Sequence, residues 1–308
     1  MKKIIVLALA FVVQQTGVFA ADFDVRNAEE FQKIVPAGAS LTKLGGGMKF
    51  VEGPVWVPWH GGFLIFSDIP TAELKKWSAK EGVVTFREHS NKANGNCLDR
   101  KNCLLSCEGG ARRVTLTSDK GEIQTVVEQF EGKKFNSPND VVVKSDRTIW
   151  FSDPDYELGG RPREVEGMCV YRFDPKTKGI TSVVKDCDHP NGLCFSPDEK
   201  RLYVADSGSP HNIHVYDVLK DGTLTGGRVF CVIDKGGPDG IRCDTAGRLF
   251  SSAGDGVHIF DPQGSLIGKI LVPETPANLC FGGDDGKTLF ITARTSLYSI
   301  HISVSGAK

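Results

Sequence analysis

Several familiar signals are missing from this 308-residue chain. Its formal net charge is only −1, from 37 basic against 38 acidic residues, and no block of Lys and Arg interrupts it. That excludes an electrostatically driven nucleic-acid binder, which needs a clustered basic footprint. No apolar run approaches the roughly 20 residues that span a bilayer; Ile4 to Val13 gives ten. No Gly-x-Ser-x-Gly elbow occurs, so a serine nucleophile has no support. The Cys103/Cys107 spacing has no second half elsewhere, which argues against structural zinc. No Pro/Ser-rich or charged linker divides the chain, and 40% apolar residues exclude disorder and collagen.

What is present in excess is glycine, 35 of 308 residues, against roughly 7% in average usage. Such an excess with normal apolar content means many turns. At the start, Lys2 and Lys3 precede the Ile4–Val13 run, and Val18-Phe19-Ala20 leads to Ala21. A basic region, a short apolar core and a small residue before the cut describe a secretory signal peptide. Residues 1–20 are therefore expected to be a leader cleaved near Ala20, and residues 21–308 one exported domain, periplasmic or secreted. The nine cysteines are odd in number, and Cys97, Cys194, Cys243 and Cys280 sit in apolar stretches. Buried free thiols, with at most one or two bridges, are the expectation.

A repeat organises the rest. Strand-like runs recur behind turn signals at GGFLIFSDI, KNCLLSCEG, DRTIWFSDP, EKRLYVADS, AGRLFSSAG and GKTLFITAR. Aligned on Leu64, Leu104, Ile149, Leu202, Leu249 and Leu289, they are 40, 45, 53, 47 and 40 residues apart. Each is followed by a further pair of strands around a turn. Periods of about 40–50 residues with four strands apiece indicate propeller blades. The fold class predicted is all-β, a six-bladed β-propeller. The segment from Ala39 to Val51 lacks a blade of its own and is expected to supply outer strands to the last one, closing the ring. Only Asn27 to Val35 looks helical, with Asn27 as N-cap and Glu30 three residues on.

The same repeat places oxygen donors at the axis. At 8 to 12 residues ahead of each anchor stand Glu52, Asn94 or Asn96, Asn139, Asn191, Asp239 and Asn278. The innermost strand of every blade starts at one mouth of the channel, so these residues converge there. Hard oxygen ligands, two of them charged, suit Ca²⁺, with Mg²⁺, Mn²⁺ or Zn²⁺ as alternatives. Gly53, Gly95, Gly192 and Gly240 directly follow channel residues and would let the backbone crowd round an ion. Fourteen to 16 residues further on, a rim of Asp68, Glu108, Asp153, Asp206, Asp255 and Arg294 ends each second strand, with Arg112 and Tyr156 nearby. This rim reads either as a solvated edge or as a pocket for a polyhydroxylated ligand. His189 adjoins a channel residue, and the other histidines add little.

The blocks EGPVW, NGNCLDR, CEGGARRV, FNSPNDVVV, IWFSDPDY, HPNGLCFSPDEKRLYVADS, GGPDGIRCDTAGRLFSSAGDGVHIFDP and PETPANLCFGG resemble those of the SMP-30/gluconolactonase/luciferin-regenerating-enzyme family, above all its bacterial gluconolactonases. The resemblance implies a six-bladed propeller with one divalent ion that hydrolyses sugar or related lactones. It also implies that Glu52, Asn191 and Asp239 are metal ligands and that Asn139 contacts metal or substrate. One departure is Gly109, where relatives often carry His after Cys-Glu.

Lactone hydrolysis also follows from the residues. A bound cation polarises the carbonyl, and a carboxylate near it deprotonates water. Asp239 is the expected base, with Asp206 second. Asn94, Glu108, Arg112, Asn139, Asp153, Tyr156 and Asn278 are the expected substrate contacts. The partner is then a small lactone, with the mature chain a monomer or homodimer. A non-catalytic propeller that binds a carbohydrate or partner around a structural Ca²⁺ is the alternative, and an esterase or organophosphate hydrolase on the same metal a third.

Overall fold

A computed structural model describes the backbone of Gly17–Ala20 and residues 23–307. The expected leader lies outside the described residues apart from that short stretch. Six antiparallel sheets of four or five strands are arranged around an axis, and in blades V and VI N-terminal strands are added at the outer edge. The inner strands are Val51–Val57, Ala93–Leu98, Val141–Val143, Pro190–Phe195, Ile241–Cys243 and Pro276–Gly282, which define blades I to VI. The six anchors Leu64, Leu104, Ile149, Leu202, Leu249 and Leu289 all fall in second strands.

These strands form because β-branched and aromatic residues alternate between turn signals, and because both faces of each sheet are covered by its neighbours. The second strands are accordingly buried along almost their whole length, as in Phe63–Asp68 and Ile149–Asp153. Apolar clusters fill the wedges between blades, for instance Trp150, Val170, Leu193, Val204 and Tyr216 between blades III and IV.

The ring closes as the sequence pattern predicts. Ser40–Gly45 pairs antiparallel with Ser296–His301 and becomes the fourth strand of blade VI, so the N-terminal segment holds the last blade. Gly17–Ala20 pairs beyond it at Ser40–Lys43. Phe23–Val25 adds a fifth strand to blade V, on Leu266–Leu271. The single α-helix among the described residues, Ala28–Ile34, is capped by Asn27, whose side chain accepts from Glu30 N–H at 3.2 Å. Its Phe31 and Ile34 pack on Ile267, Ile270, Ile300 and Ile302 under blades V and VI. All nine cysteines are free thiols, seven of them buried.

Candidate active site

The heads of the inner strands carry the residues singled out by the repeat. Glu52, Asn94, Asn139, Asn191 and Asn278 are buried and Asp239 is half-buried. Adjacent heads are tied through the backbone: Gly95 N–H donates to Asn139 O at 2.7 Å, and Gly240 N–H to Ala277 O at 2.8 Å. Glycine is needed for this approach. A Cβ on Gly192 would stand 2.2 Å from Asp239 O, and one on Gly240 2.0 Å from Asn278 Oδ1.

Glu52 Oε2 accepts from Gly53 N–H at 2.6 Å and from Asn278 Nδ2 at 2.9 Å. Asn278 thereby orients the glutamate rather than facing the mouth. The carboxyl of Asp239 lies within hydrogen-bond reach of both Glu52 and Asn191. Burial pushes the Glu52 carboxyl up to about 7, against the hydrogen bonds from Asn278 and Gly53 that favour its charged form. Burial, and then the charge of Glu52, pushes Asp239 well above the usual carboxylate range. Asp239 Oδ1 and Asn94 Oδ1 are buried without a hydrogen-bond partner. Two facing carboxyl groups with orphaned oxygens beside them form a costly arrangement that a hard divalent cation relieves. The residues therefore fit such an ion. Asn94, not Asn96, is the blade II member: Asn96 donates to Gly53 O, Ser67 Oγ and Asn94 O and accepts from Ser106 Oγ, which saturates it.

The rim needs correction. Asp206, offered as second base, is buried, and its carboxylate accepts from the backbone N–H groups of Asp188, His189 and Gly208 at 2.8–3.0 Å. Asp68 does the same for Lys49 and Phe50, and Asp153 for Asn136. Each aspartate thus clamps the loop two to three residues before its own blade's channel residue, and Asp153 is no substrate contact. Glu108 is enclosed by Arg113, Arg87, Asn91 and Thr115. Arg112 is buried against Phe135 O, Lys134 O and Glu164. Their partners take these side chains out of the pocket, because a second-strand end looks alike whether it faces ligand or loop.

Tyr156 stays at the mouth. It is 46% exposed, its hydroxyl reaches Asn191 and Ser207, and burial of that hydroxyl followed by the charge of Asp239 raises it to about 12. It is therefore a neutral donor beside the carboxylates. The sequence pattern missed the Asp140–Arg242 pair, which crosses the channel at 3.1 Å between blades III and V. A charged residue beside one apolar inner strand (Asp140) and inside another (Arg242) was the available signal.

Cys187, Asp206 and His214 also gather within 4.8 Å. Asp206 is already committed to three backbone amides, and the Tyr216 hydroxyl contacts both Cys187 Sγ and His214 Nδ1, so that group is a polar core cluster. A broad concavity of about 640 Å³ around Ser196, Asp198, Tyr203 and Pro262 lies at turns beyond the far ends of the inner strands and lacks comparable groups.

Known proteins are similar to this chain in sequence and fold. Residues 50–295 match the SMP-30/Gluconolactonase/LRE-like region. A gluconolactonase of Zymomonas mobilis is 31% identical over 302 residues, covering 89% of this chain and 84% of its own. The solved structure of XC5397 from Xanthomonas campestris, described as a gluconolactonase, is 32% identical with a TM-score of 0.86 over 94% of this chain and 99% of that one. A calcium-binding regucalcin from Agrobacterium tumefaciens, at 23% identity and TM-score 0.73 over 88% and 95% of the two chains, has the same fold. On the span of that match and the shared propeller, the chain belongs to the SMP-30/gluconolactonase/LRE-like family.

Proposed function

We propose that the chain is a metal-dependent lactonase that opens a hydroxylated, gluconolactone-like sugar lactone to its aldonic acid. The observation that carries this reading is the facing pair Glu52 and Asp239 with unpartnered Asp239 Oδ1 and Asn94 Oδ1 at the channel mouth. The naming of the Zymomonas and Xanthomonas relatives as gluconolactonases supports the substrate class. Glu52, Asn139, Asn191 and Asp239 would hold a divalent ion, best Ca²⁺ for an all-oxygen set. When bound, it supplies Lewis-acid polarisation of the carbonyl and stabilises developing negative charge.

The chain's own residues do the rest. Asp239, as carboxylate, accepts a proton from the attacking water as the water oxygen adds to the lactone carbonyl carbon. The ring C–O ester bond then breaks, and the ring oxygen leaves as the hydroxyl of the open acid, taking up a proton. Asn278 holds Glu52 in place at 2.9 Å. Tyr156 offers its neutral hydroxyl to the substrate from the side of Asn191.

A pH-stat assay of glucono-δ-lactone tests this. Protein dialysed against EDTA should lose activity and regain it with Ca²⁺ or another of Mg²⁺, Mn²⁺ and Zn²⁺. Equal rates with and without chelator would overturn the metal dependence, and no turnover of any lactone would leave a non-catalytic propeller.

The Lys2-Lys3, Ile4–Val13 and Val18-Phe19-Ala20 pattern supports export with cleavage near Ala20. Cleavage would remove Gly17–Ala20 and leave Ser40–Gly45 as the outermost strand of blade VI. Among the described residues no helix is long and apolar enough to cross a membrane.

A further inference from the structure

His189 stands two residues before Asn191 and outside the ring of channel residues. Its backbone N–H donates to Asp206 Oδ1 at 2.8 Å, which fixes where the side chain emerges. The imidazole stacks on Tyr156, with ring centroids 5.9 Å apart and planes 24° from parallel. Since the Tyr156 hydroxyl reaches Asn191 and Ser207, the imidazole forms the next layer of the same wall.

Neither ring nitrogen makes a hydrogen bond of good geometry. Nδ1 is buried, with Asp188 Oδ2 3.4 Å away. Nε2 is 3.9 Å from Asp155 Oδ1, beyond hydrogen-bond distance. His258 differs: it is enclosed and bonds Asp255 through Nε2 at 2.6 Å. The side chain of His189 is 33% exposed, so a ligand at the mouth can reach it. An imidazole offers one donor and one acceptor in either tautomer, and the flanking carboxylates of Asp155 and Asp188 add acceptors. That combination matches neighbouring hydroxyl groups on a sugar ring and has little to offer an unhydroxylated lactone.

We propose that His189 is the specificity-determining contact for the hydroxyl groups of the substrate, an inference that rests on the lactonase reading. Losing a hydrogen bond of this kind weakens binding by roughly tenfold. The test uses full-length, metal-loaded protein with His189→Phe and His189→Gln. Initial rates are measured on glucono-δ-lactone and on dihydrocoumarin, which lacks ring hydroxyls, and calorimetry follows binding of glucono-δ-lactam.

For His189→Phe, kcat/KM on gluconolactone should fall about tenfold more than on dihydrocoumarin, mainly through KM, and lactam affinity should fall in parallel. His189→Gln, which keeps a donor and an acceptor, should recover most of both. Equal losses on the two lactones, no loss at all, or Gln as poor as Phe would overturn the assignment. If the wild type opens neither lactone, the hydrolase reading fails while the lactam titration still decides His189: unchanged affinity in His189→Phe, or no binding by the wild type, rejects it.

Discussion

Glu52 and Asp239 meet at the channel mouth with no positive side chain hydrogen-bonded to either, so the charged pair is costly there unless protonated, and the proposed cation would relieve that cost. Asp239→Asn should lower kcat/KM on gluconolactone by on the order of 10³, as expected for loss of a general base that also binds the ion. Asp206→Asn should behave differently. An amide cannot replace a carboxylate that accepts from three backbone N–H groups, so the variant should lose about 1–3 kcal/mol of stability. Thermal unfolding compared with kcat separates the outcomes: a fall in kcat at wild-type stability would return Asp206 to the role of base. Gly240→Ala should displace Asn278, which would lie 2.0 Å from the new Cβ. Since Asn278 orients Glu52, a calorimetric loss of ion affinity of at least about tenfold is expected.

At the scale of elements, closure of blade VI is reinforced by one half-buried fastening. Glu274 accepts from Thr295 N–H and from the hydroxyls of Thr295, Ser296 and Tyr298, and its Oε1 lies 3.5 Å from Lys43 Nζ on the closing strand. Although burial would raise it, these bonds hold its carboxyl at about 2, below the usual 4.5. The folded value is depressed, so the stabilisation is complete above about pH 4.5 and is lost as pH falls toward 2. It amounts to at most about 3 kcal/mol. Glu274→Gln should remove that pH dependence, read as the difference in urea midpoint between pH 6 and pH 3. An unchanged difference would show that the closure does not rely on this carboxylate.

Elements were also the scale most legible from sequence. Leu64 and its five equivalents mark second strands because buried runs between turn signals cannot be mistaken for solvated loops. The channel residues were legible because one residue class recurs at a nearly constant offset. The rim was not: Asp68, Asp153 and Asp206 recur as regularly, but periodicity does not tell an aspartate facing a ligand from one bonded to its own loop. Asp140 and Arg242 were hidden because their partner lies 102 positions away.

For the whole molecule, the ring is closed by pairing of Ser40–Gly45 with Ser296–His301, and Gly17–Ala20 only adds an outer strand. A chain starting at Ala21 should therefore unfold within a few degrees of the full-length protein, measured by calorimetry at fixed Ca²⁺. A loss of cooperativity would mean that the N-terminal strand is part of the closure. The proposed ion at the convergence of six blades would also tie stability to its concentration: at 100 times Kd, the expected gain is about 2.7 kcal/mol.

Calorimetric titration of EDTA-stripped protein with Ca²⁺, with lactonase rate followed on the same samples, addresses the site itself. One ion should bind per chain, the rate should return in proportion to occupancy, and Glu52→Gln should weaken binding by at least about 100-fold. Full lactonase activity in protein that binds no divalent ion, or wild-type affinity in Glu52→Gln, would contradict a metal centre at the channel mouth.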